Sequence, residues 1–197
     1  MVPWFKSPKT YFERAGMELK SVFLSDEANS QALDRYINVC TDVVFVDQAG
    51  CFVLAYRTVA AARGWWWKGG GMRKGETTED SIARLMKREI GFVPENVQPL
   101  DSFFHQWEER AVEPKGNGQH DFIFLHFVHV DEDTIAKIRL DSKEYDVERG
   151  FMRYNGTQVV RPAIAGAYRL YRQRHIPVET GFLTPERLAQ MHADPSN

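Results

Sequence analysis

The sequence has few cysteines, no long apolar run and almost no net charge. Its two cysteines, Cys40 and Cys51, lie in apolar segments and form neither a CxxC pair nor a Cys/His cluster with the spacing of a zinc site, so we expect two reduced core thiols. No apolar run approaches the ~20 residues that a transmembrane helix needs, and the N-terminus lacks the apolar core of a signal peptide. We therefore expect a cytoplasmic protein that does not bind a membrane.

The charge balance excludes a second class of partner. The 25 basic and 27 acidic residues leave a net charge of −2, which provides no electrostatic attraction to nucleic acid. Hydrophobic residues make up 43% and charged residues 26% of the 197 residues, as is ordinary for one globular domain with an extension or two. The composition therefore predicts a soluble domain that binds no nucleic acid.

Hydrophobic periodicity predicts strands that alternate with helices, and hence an α/β/α sandwich with a mixed sheet between helices. The last predicted strand is apolar almost throughout, which favours a central position in the sheet. The predicted strands cover residues 37–47, 51–57, 100–108 and 120–130, and the predicted helices cover 25–36, 78–90, part of 131–140, 157–174 and 184–191.

A glycine-rich loop leads into the helix with the clearest signals in the chain. The three glycines at 69–71 allow a tight turn and a close approach to a ligand, because no Cβ stands in the way. Thr77 and Thr78 offer an N-cap hydroxyl, and apolar residues recur at helical spacing as far as Ile90. Gly91 is placed to end the helix in a left-handed conformation.

This stretch resembles the box of the Nudix hydrolases, G-x5-E-x7-R-E-U-x-E-E-x-G-U, where U is a bulky aliphatic residue. When the pattern starts at Gly70, its first glutamate is Glu76 and its arginine is Arg84. Its last glutamate is then Glu89 and its final glycine is Gly91. The resemblance is specific, because all these residues must share one register.

Two acidic positions of the box are replaced, by Leu85 and Arg88. Among Nudix enzymes, the GDP-mannose mannosyl hydrolases carry a box of this reduced form, with a leucine after the arginine and only the last glutamate kept. They share three further features with this chain: a basic residue at a strand end, an aromatic run before the glycines and a histidine before a long strand. In this sequence these are Arg57, residues 65–67 and His120. The chain departs from them at Lys68, where they have a proline, and at Gly71, where they have an arginine.

The resemblance divides the chain into three segments. We expect an N-terminal arm and helix over residues 1–35, a Nudix domain over 36–155, and a C-terminal helical extension packed on that domain over 156–197.

The resemblance also implies a divalent-metal site at the end of the box helix. The ion would be Mg²⁺, with Mn²⁺ as the alternative, since a hard cation suits an anionic diphosphate. Its protein ligands would be Glu89, as a partly exposed carboxylate, and a backbone carbonyl of Gly69 or Gly70. A later loop would add Glu144 as an oxygen ligand or general base, with Asp146 as its rival.

Other residues have both a functional and a structural interpretation. Arg57 and Arg73 either hold phosphates or are surface arginines, and His120 either contacts the leaving phosphate or caps a strand end. Glu76 and Arg84 are expected to form an ion pair that fixes the loop against the helix.

The tryptophan run is expected to alternate across a strand. Trp65 and Trp67 would share one face and Trp66 would lie on the other. At least one ring would pack in the core, and Trp65 or Trp67 could stack on a nucleotide base.

The resemblance implies a hydrolase that acts on a small nucleoside diphosphate derivative, with a nucleotide sugar favoured and a homodimer as one assembly it allows. In the mannosyl hydrolases, water attacks the sugar carbon and the nucleoside diphosphate leaves. Two alternatives stay open: attack at phosphorus, and a Nudix-fold binding or regulatory module without catalysis. Lys143 and Glu144 favour the module, because the family has glutamine and histidine there.

Overall fold

A computed structural model of the protein describes residues 21–175. The first 20 residues, which belong to the expected N-terminal arm, and the short helix expected over 184–191 lie outside that range. Each predicted strand and helix within the range forms, with ends that differ by a few residues. The elements are α1 (Asp26–Leu33), β1 (Asn38–Val46), β2 (Phe52–Arg57), β3 (Gly64–Trp66), β4 (Lys68–Gly71), α2 (Thr78–Ile90), β5 (Gln98–Trp107), β6 (Gln119–His129), α3 (Glu132–Ala136), β7 (Phe151–Tyr154) and α4 (Pro162–His175).

The strands form one mixed sheet in the order β3-β2-β1-β6-β5, with β4 paired to β1 and β7 paired to β2. The β1–β6 pair is parallel and every other pair is antiparallel. β6 lies between β1 and β5, as its apolar sequence predicted. Because β1 and β6 are parallel neighbours, their N-terminal residues lie side by side, with Asn38 opposite Asp121.

Helices cover both faces of the sheet, which confirms the α/β/α sandwich. On one face, Leu85, Met86 and Ile90 of α2 are buried against β1 and β6. On the other face, Ile164 and Tyr168 of α4 pack into a second apolar cluster. No helix within residues 21–175 is long and apolar enough to span a membrane.

The box helix α2 begins and ends where the sequence places its caps. The Thr77 hydroxyl accepts a hydrogen bond from the Asp80 N–H at 3.2 Å, and the Asp80 carboxylate accepts one from the Thr77 N–H at 3.1 Å, which forms a capping box. Gly91 ends the helix with φ 90°. A buried hydrogen bond of 2.7 Å between the Thr41 and Ser81 hydroxyls ties the helix to β1.

The expected alternation of the tryptophans is wrong. The side chains of Trp66 and Trp67 are both buried in the cluster on the α4 face, and Trp65 packs against the same cluster. The physical reason is that the chain changes partner here, since β3 pairs with β2 whereas β4 pairs with β1. Trp67 lies at the change between the two strands, so the two-residue period of a single strand does not apply.

Candidate functional site

A cleft of about 410 Å³ opens beside the glycine strand β4. Its walls come from the start of β1, the loop after β2, the start of β6 and the segment before β7, so it brings together residues that are distant in sequence. Gly69 has to be glycine, because its φ is 151° and a Cβ there would lie 2.1 Å from an Asp42 carboxylate oxygen. The glycines therefore let β4 lie directly against the floor of the cleft.

One end of the cleft carries alternating arginines and glutamates. Arg57 Nη2 donates to Glu144 Oε2 at 3.0 Å, and Arg88 Nη2 lies 3.4 Å from Glu144 Oε1. Arg88 Nη2 also donates to Glu89 Oε1 at 2.7 Å. We call Arg57 and Arg88 the arginine pair; they place two positive charges at this end of the cleft.

Glu89 lies behind the arginine pair and is fully buried. Its Oε2 accepts hydrogen bonds from the Tyr145 hydroxyl at 2.5 Å and from the Gly69 N–H at 3.2 Å, while its Oε1 accepts from Arg88. Both carboxylate oxygens therefore already have protein partners. The expected partly exposed carboxylate is wrong on this point, because the segment before β7 folds over the end of α2 and brings Tyr145 onto it.

Arg57 has an unusual unsatisfied donor. Its side chain is 13% exposed, and its Nε is buried without a hydrogen-bond partner among the residues that the structure describes. A buried N–H without an acceptor costs about 1–3 kcal/mol. Such a cost at a cleft wall is typical of a group that meets its partner when a ligand binds.

Asp42 forms part of the cleft floor and is 4% exposed. The indole N–H of Trp67 donates to its Oδ2 at 2.6 Å. The pKa of Asp42 is raised from its ordinary value of 3.8 to about 7, chiefly because the group is buried; the Trp67 hydrogen bond opposes this rise and the nearby charge of Glu89 adds to it. A carboxyl group of this kind can accept or release a proton near neutral pH.

The other end of the cleft is polar and aromatic. The buried carboxylate of Asp121 accepts hydrogen bonds from the Asn38 amide at 3.1 Å, the Gln119 amide at 2.7 Å and the Trp107 indole at 2.7 Å. The rings of Trp66 and Trp107 meet at 5.1 Å and 70° beside this cluster. One end of the cleft thus carries arginines paired with glutamates, and the other carries the hydrogen-bonded Asp121 cluster, with Asp42 in the floor.

The comparisons with known proteins agree with this architecture. The sequence profile of the NUDIX domain matches residues 38–171, which is most of the chain. The chain belongs to the Nudix family. Enzymes of this family generally use divalent metals such as Mg²⁺.

Solved Nudix structures share the fold at low sequence identity. The MutT protein of Methanosarcina mazei is 16% identical with a TM-score of 0.52, covering 71% of this chain and 96% of its own. The MutT NUDIX hydrolase of Burkholderia pseudomallei is 18% identical with a TM-score of 0.53, covering 69% of this chain and 98% of its own. A search of curated protein sequences gives no significant match.

The structure brings part of the predicted Nudix site together. Arg57, Gly69, Gly70 and Glu144 all line the cleft, and Glu89 lies directly behind it. Glu76 and Arg84 form the expected ion pair. Arg84 Nη2 donates to Glu76 Oε2 at 2.8 Å and to the Gly71 carbonyl oxygen at 3.0 Å. This pair holds the end of β4 onto α2. The tight turn expected at 69–71 is wrong, because these glycines pair with β1 and so continue the sheet.

Other predicted residues do not reach the cleft. His120 does not line it, and its ring lies 5.4 Å from the Phe104 ring at a tilt of 51°. Alternation along β6 turns its neighbours Gln119 and Asp121 toward the cleft instead. Arg73 is exposed and lies 5.4 Å from the Phe23 ring. Trp65 packs edge-on against Tyr56. Trp67 is fully buried beneath Asp42.

Sequence reasoning missed the residues that take their places. Trp66 and Trp107 line the cleft, as do Asp42, Asp121 and Arg88. Asp42 and Asp121 gave one signal in the sequence, since each is an acidic residue at or within an apolar strand. An acidic residue is rarely buried at such a position unless it has a partner.

The residues present do not fit the metal site that the family implies. Glu89, the one box glutamate left at the end of α2, has both oxygens occupied, and its strongest partner is the guanidinium that replaces a family glutamate. Within residues 21–175 no group of three or more His, Cys, Asp or Glu side chains is arranged to hold a metal ion. The Gly69 N–H, rather than a carbonyl, points to Glu89. Two guanidiniums, each already in contact with a glutamate, are the cationic groups at this end of the cleft.

Proposed function

We propose that the cleft binds a nucleoside diphosphate derivative and hydrolyses it, with the arginine pair on the diphosphate and a nucleotide sugar as the favoured substrate. The observation that carries the proposal is the buried Arg57 Nε without a partner, at the end of a cleft that carries the arginine pair and has room for a small molecule. Guanidinium groups suit phosphate oxygens because their N–H donors form a planar fork. A phosphate that takes the place of Glu144 on Arg57 would also satisfy the orphan donor.

Attack at the sugar carbon suits these residues better than attack at phosphorus. In the first reaction, a water oxygen bonds to the anomeric carbon, the bond from that carbon to the diphosphate oxygen breaks, and the electron pair stays on the leaving diphosphate. Two guanidiniums stabilise the charge that develops there. Attack at phosphorus relies on metal ions to neutralise the phosphate chain, and the acids that would hold them are replaced by Leu85 and Arg88.

Of the three acids that line the cleft, Asp42 is the best suited to accept the proton of the attacking water, since Asp121 already accepts three hydrogen bonds and Glu144 contacts both arginines. Both carboxylate oxygens of Glu144 already contact a guanidinium, Oε2 that of Arg57 and Oε1 that of Arg88. Asp42 has a pKa of about 7 because it is buried, so the proton it accepts is held near neutral pH. Glu144 then serves to position the arginine pair.

A binding module without catalysis is the second candidate. The contacts of Glu89 with Arg88 and Tyr145 favour it, because they leave the one box glutamate at the end of α2 in a structural role. Such a module would bind the same diphosphate ligand and release it unchanged.

A hydrolysis assay in ¹⁸O-labelled water separates these functions. Nucleotide sugars and dinucleotides are incubated with the protein, with and without Mg²⁺, and the products are analysed by mass spectrometry. The proposal predicts label in the released sugar and at least ~100-fold lower turnover in Asp42→Asn. Label in the phosphate product would establish attack at phosphorus. Intact ligand throughout, with binding retained, would establish the module.

A further inference from the structure

We infer that Asn38 and Gln119 form a subsite that selects a ligand group carrying two neighbouring hydrogen-bond donors. The inference rests on the proposed function, because it places that group on the same ligand whose diphosphate meets the arginine pair. Both side chains line the cleft at the end away from Glu144, next to the start of β1 and β6.

Asp121 determines which way both amides face. Both amides present their NH2 groups to a carboxylate oxygen of Asp121, which accepts from them. Asn38 Nδ2 lies 3.1 Å and Gln119 Nε2 lies 2.7 Å from the same oxygen, Asp121 Oδ1. The Trp107 indole at 2.7 Å occupies the other oxygen and holds the carboxylate in place.

The consequence is that each amide directs its carbonyl oxygen away from Asp121. Neither Asn38 Oδ1 nor Gln119 Oε1 has a hydrogen-bond partner within residues 21–175. This end of the cleft therefore offers two acceptors from the pair of amides. A ligand group that itself presents acceptors would leave these oxygens without partners at a measurable cost.

The neighbouring rings narrow the chemistry of the ligand group. Trp66 and Trp107 line the same cleft, and their apolar surface suits a flat base or the apolar face of a sugar ring. Two adjacent donors occur on the N1–H and amino edge of guanine and on the neighbouring hydroxyls of a sugar. Adenine has one donor group beside an acceptor on the corresponding edge.

The test measures affinities by calorimetry with the metal chelated. GDP is compared with ADP for a base in the subsite, ADP-glucose is compared with ADP for a sugar, and inorganic pyrophosphate reports on the arginine pair alone. One of the two comparisons should favour the donor-bearing ligand by at least ~10-fold. Gln119→Met should abolish that preference and leave pyrophosphate affinity unchanged. The matched control, Gln106→Met, changes an exposed glutamine on β5 and should alter neither.

Asp121→Asn tests the positioning role of the carboxylate. The NH2 group of the new asparagine allows the amide of Asn38 or Gln119 to turn, so the difference in affinity between the two ligands compared should shrink. If Asp121 had only a structural role, the affinities of both ligands would fall equally. Absence of any preference in the wild type, or a preference that survives Gln119→Met, would overturn the inference alone. Failure of pyrophosphate and every nucleotide to bind would overturn the proposed function with it.

Discussion

The two halves of the Nudix box hold their acids in different ways. In the first half, Glu76 pairs with Arg84 at the edge of the loop, and both side chains stay partly exposed, at 15% and 21%. In the last turn of α2, Glu89 is fully buried and contacts Tyr145 from the segment before β7 as well as Arg88. The first pair is local to the box, whereas the second joins the helix to a distant segment.

The difference shows which part of the motif determines the fold and which part has changed its chemistry. The first half keeps the family residues and the same task, since it fixes the end of β4 through the Gly71 carbonyl. The last turn has exchanged two acids for a leucine in the apolar cluster and an arginine at the cleft. We propose that this end of the cleft meets an anion through its two guanidiniums.

The largest effect is expected from restoring the family glutamate at position 85. Leu85 is 1% exposed within the α2 cluster, so Leu85→Glu should lower the free energy of unfolding by about 4 kcal/mol, because it places a carboxyl group among apolar side chains. The measurement is urea unfolding at neutral pH. Lys87→Glu, an exposed change in the same turn, is the control and should cost less than about 1 kcal/mol. Unchanged stability with new metal-dependent hydrolysis would mean that the last turn remains a damaged metal site.

Local features of the box could be predicted from sequence because they depend on neighbouring residues. The cap at Thr77, the stop at Gly91 and the Glu76–Arg84 contact all lie within one short stretch. Four of the seven strands, β1, β2, β5 and β6, followed from apolar runs in the same way.

The contents of the cleft could not be predicted in this way, because they depend on which distant segments meet. The burial of Glu89 needs Tyr145, which is 56 residues away, and the orientation of Asn38 needs Asp121, which is 83 residues away. The change of strand partner at Trp67 likewise depends on the sheet as a whole.

Removal of Glu89 should destabilise the protein more than removal of Glu76, which distinguishes the two halves of the box. Glu89→Ala leaves the buried Tyr145 hydroxyl and the Gly69 N–H without their acceptor, and should lower the free energy of unfolding by about 3 kcal/mol. The matched change Glu76→Ala breaks a partly exposed pair and should cost about 1 kcal/mol, because solvent screens it. Denaturant melts of both variants give the comparison. Equal losses would show that the two acids have equivalent structural roles.

Asp42, in the cleft floor, should make the free energy of unfolding depend on pH. Because the folded pKa of Asp42 is about 7, above its ordinary value of 3.8, the folded state binds the proton more tightly. Its contribution to stability is present below pH 3.8 and is lost as the pH rises toward 7, by at most about 1.4 kcal/mol per pH unit. Asp42→Asn should therefore gain stability over the wild type progressively between pH 4 and 7. A difference that stays constant over this range would contradict the raised pKa.

The smallest effect is expected at the N-cap of the first half. Thr77→Ala removes the side-chain acceptor for the Asp80 N–H and should lower the free energy of unfolding by about 1 kcal/mol. Pyrophosphate affinity, measured by calorimetry, should not change, because the cap lies outside the cleft. A loss of affinity would show that the first half also shapes the anion site.

Pyrophosphate binding with and without metal tests the central claim most directly. The wild type and Arg88→Met are titrated with inorganic pyrophosphate in EDTA and again in Mg²⁺. The account predicts that the wild type binds in EDTA and that Arg88→Met weakens this binding by at least ~10-fold, since a charge-assisted contact to phosphate is lost. Binding that appears only with Mg²⁺, and that survives Arg88→Met, would show that the last turn of the box still holds a cation.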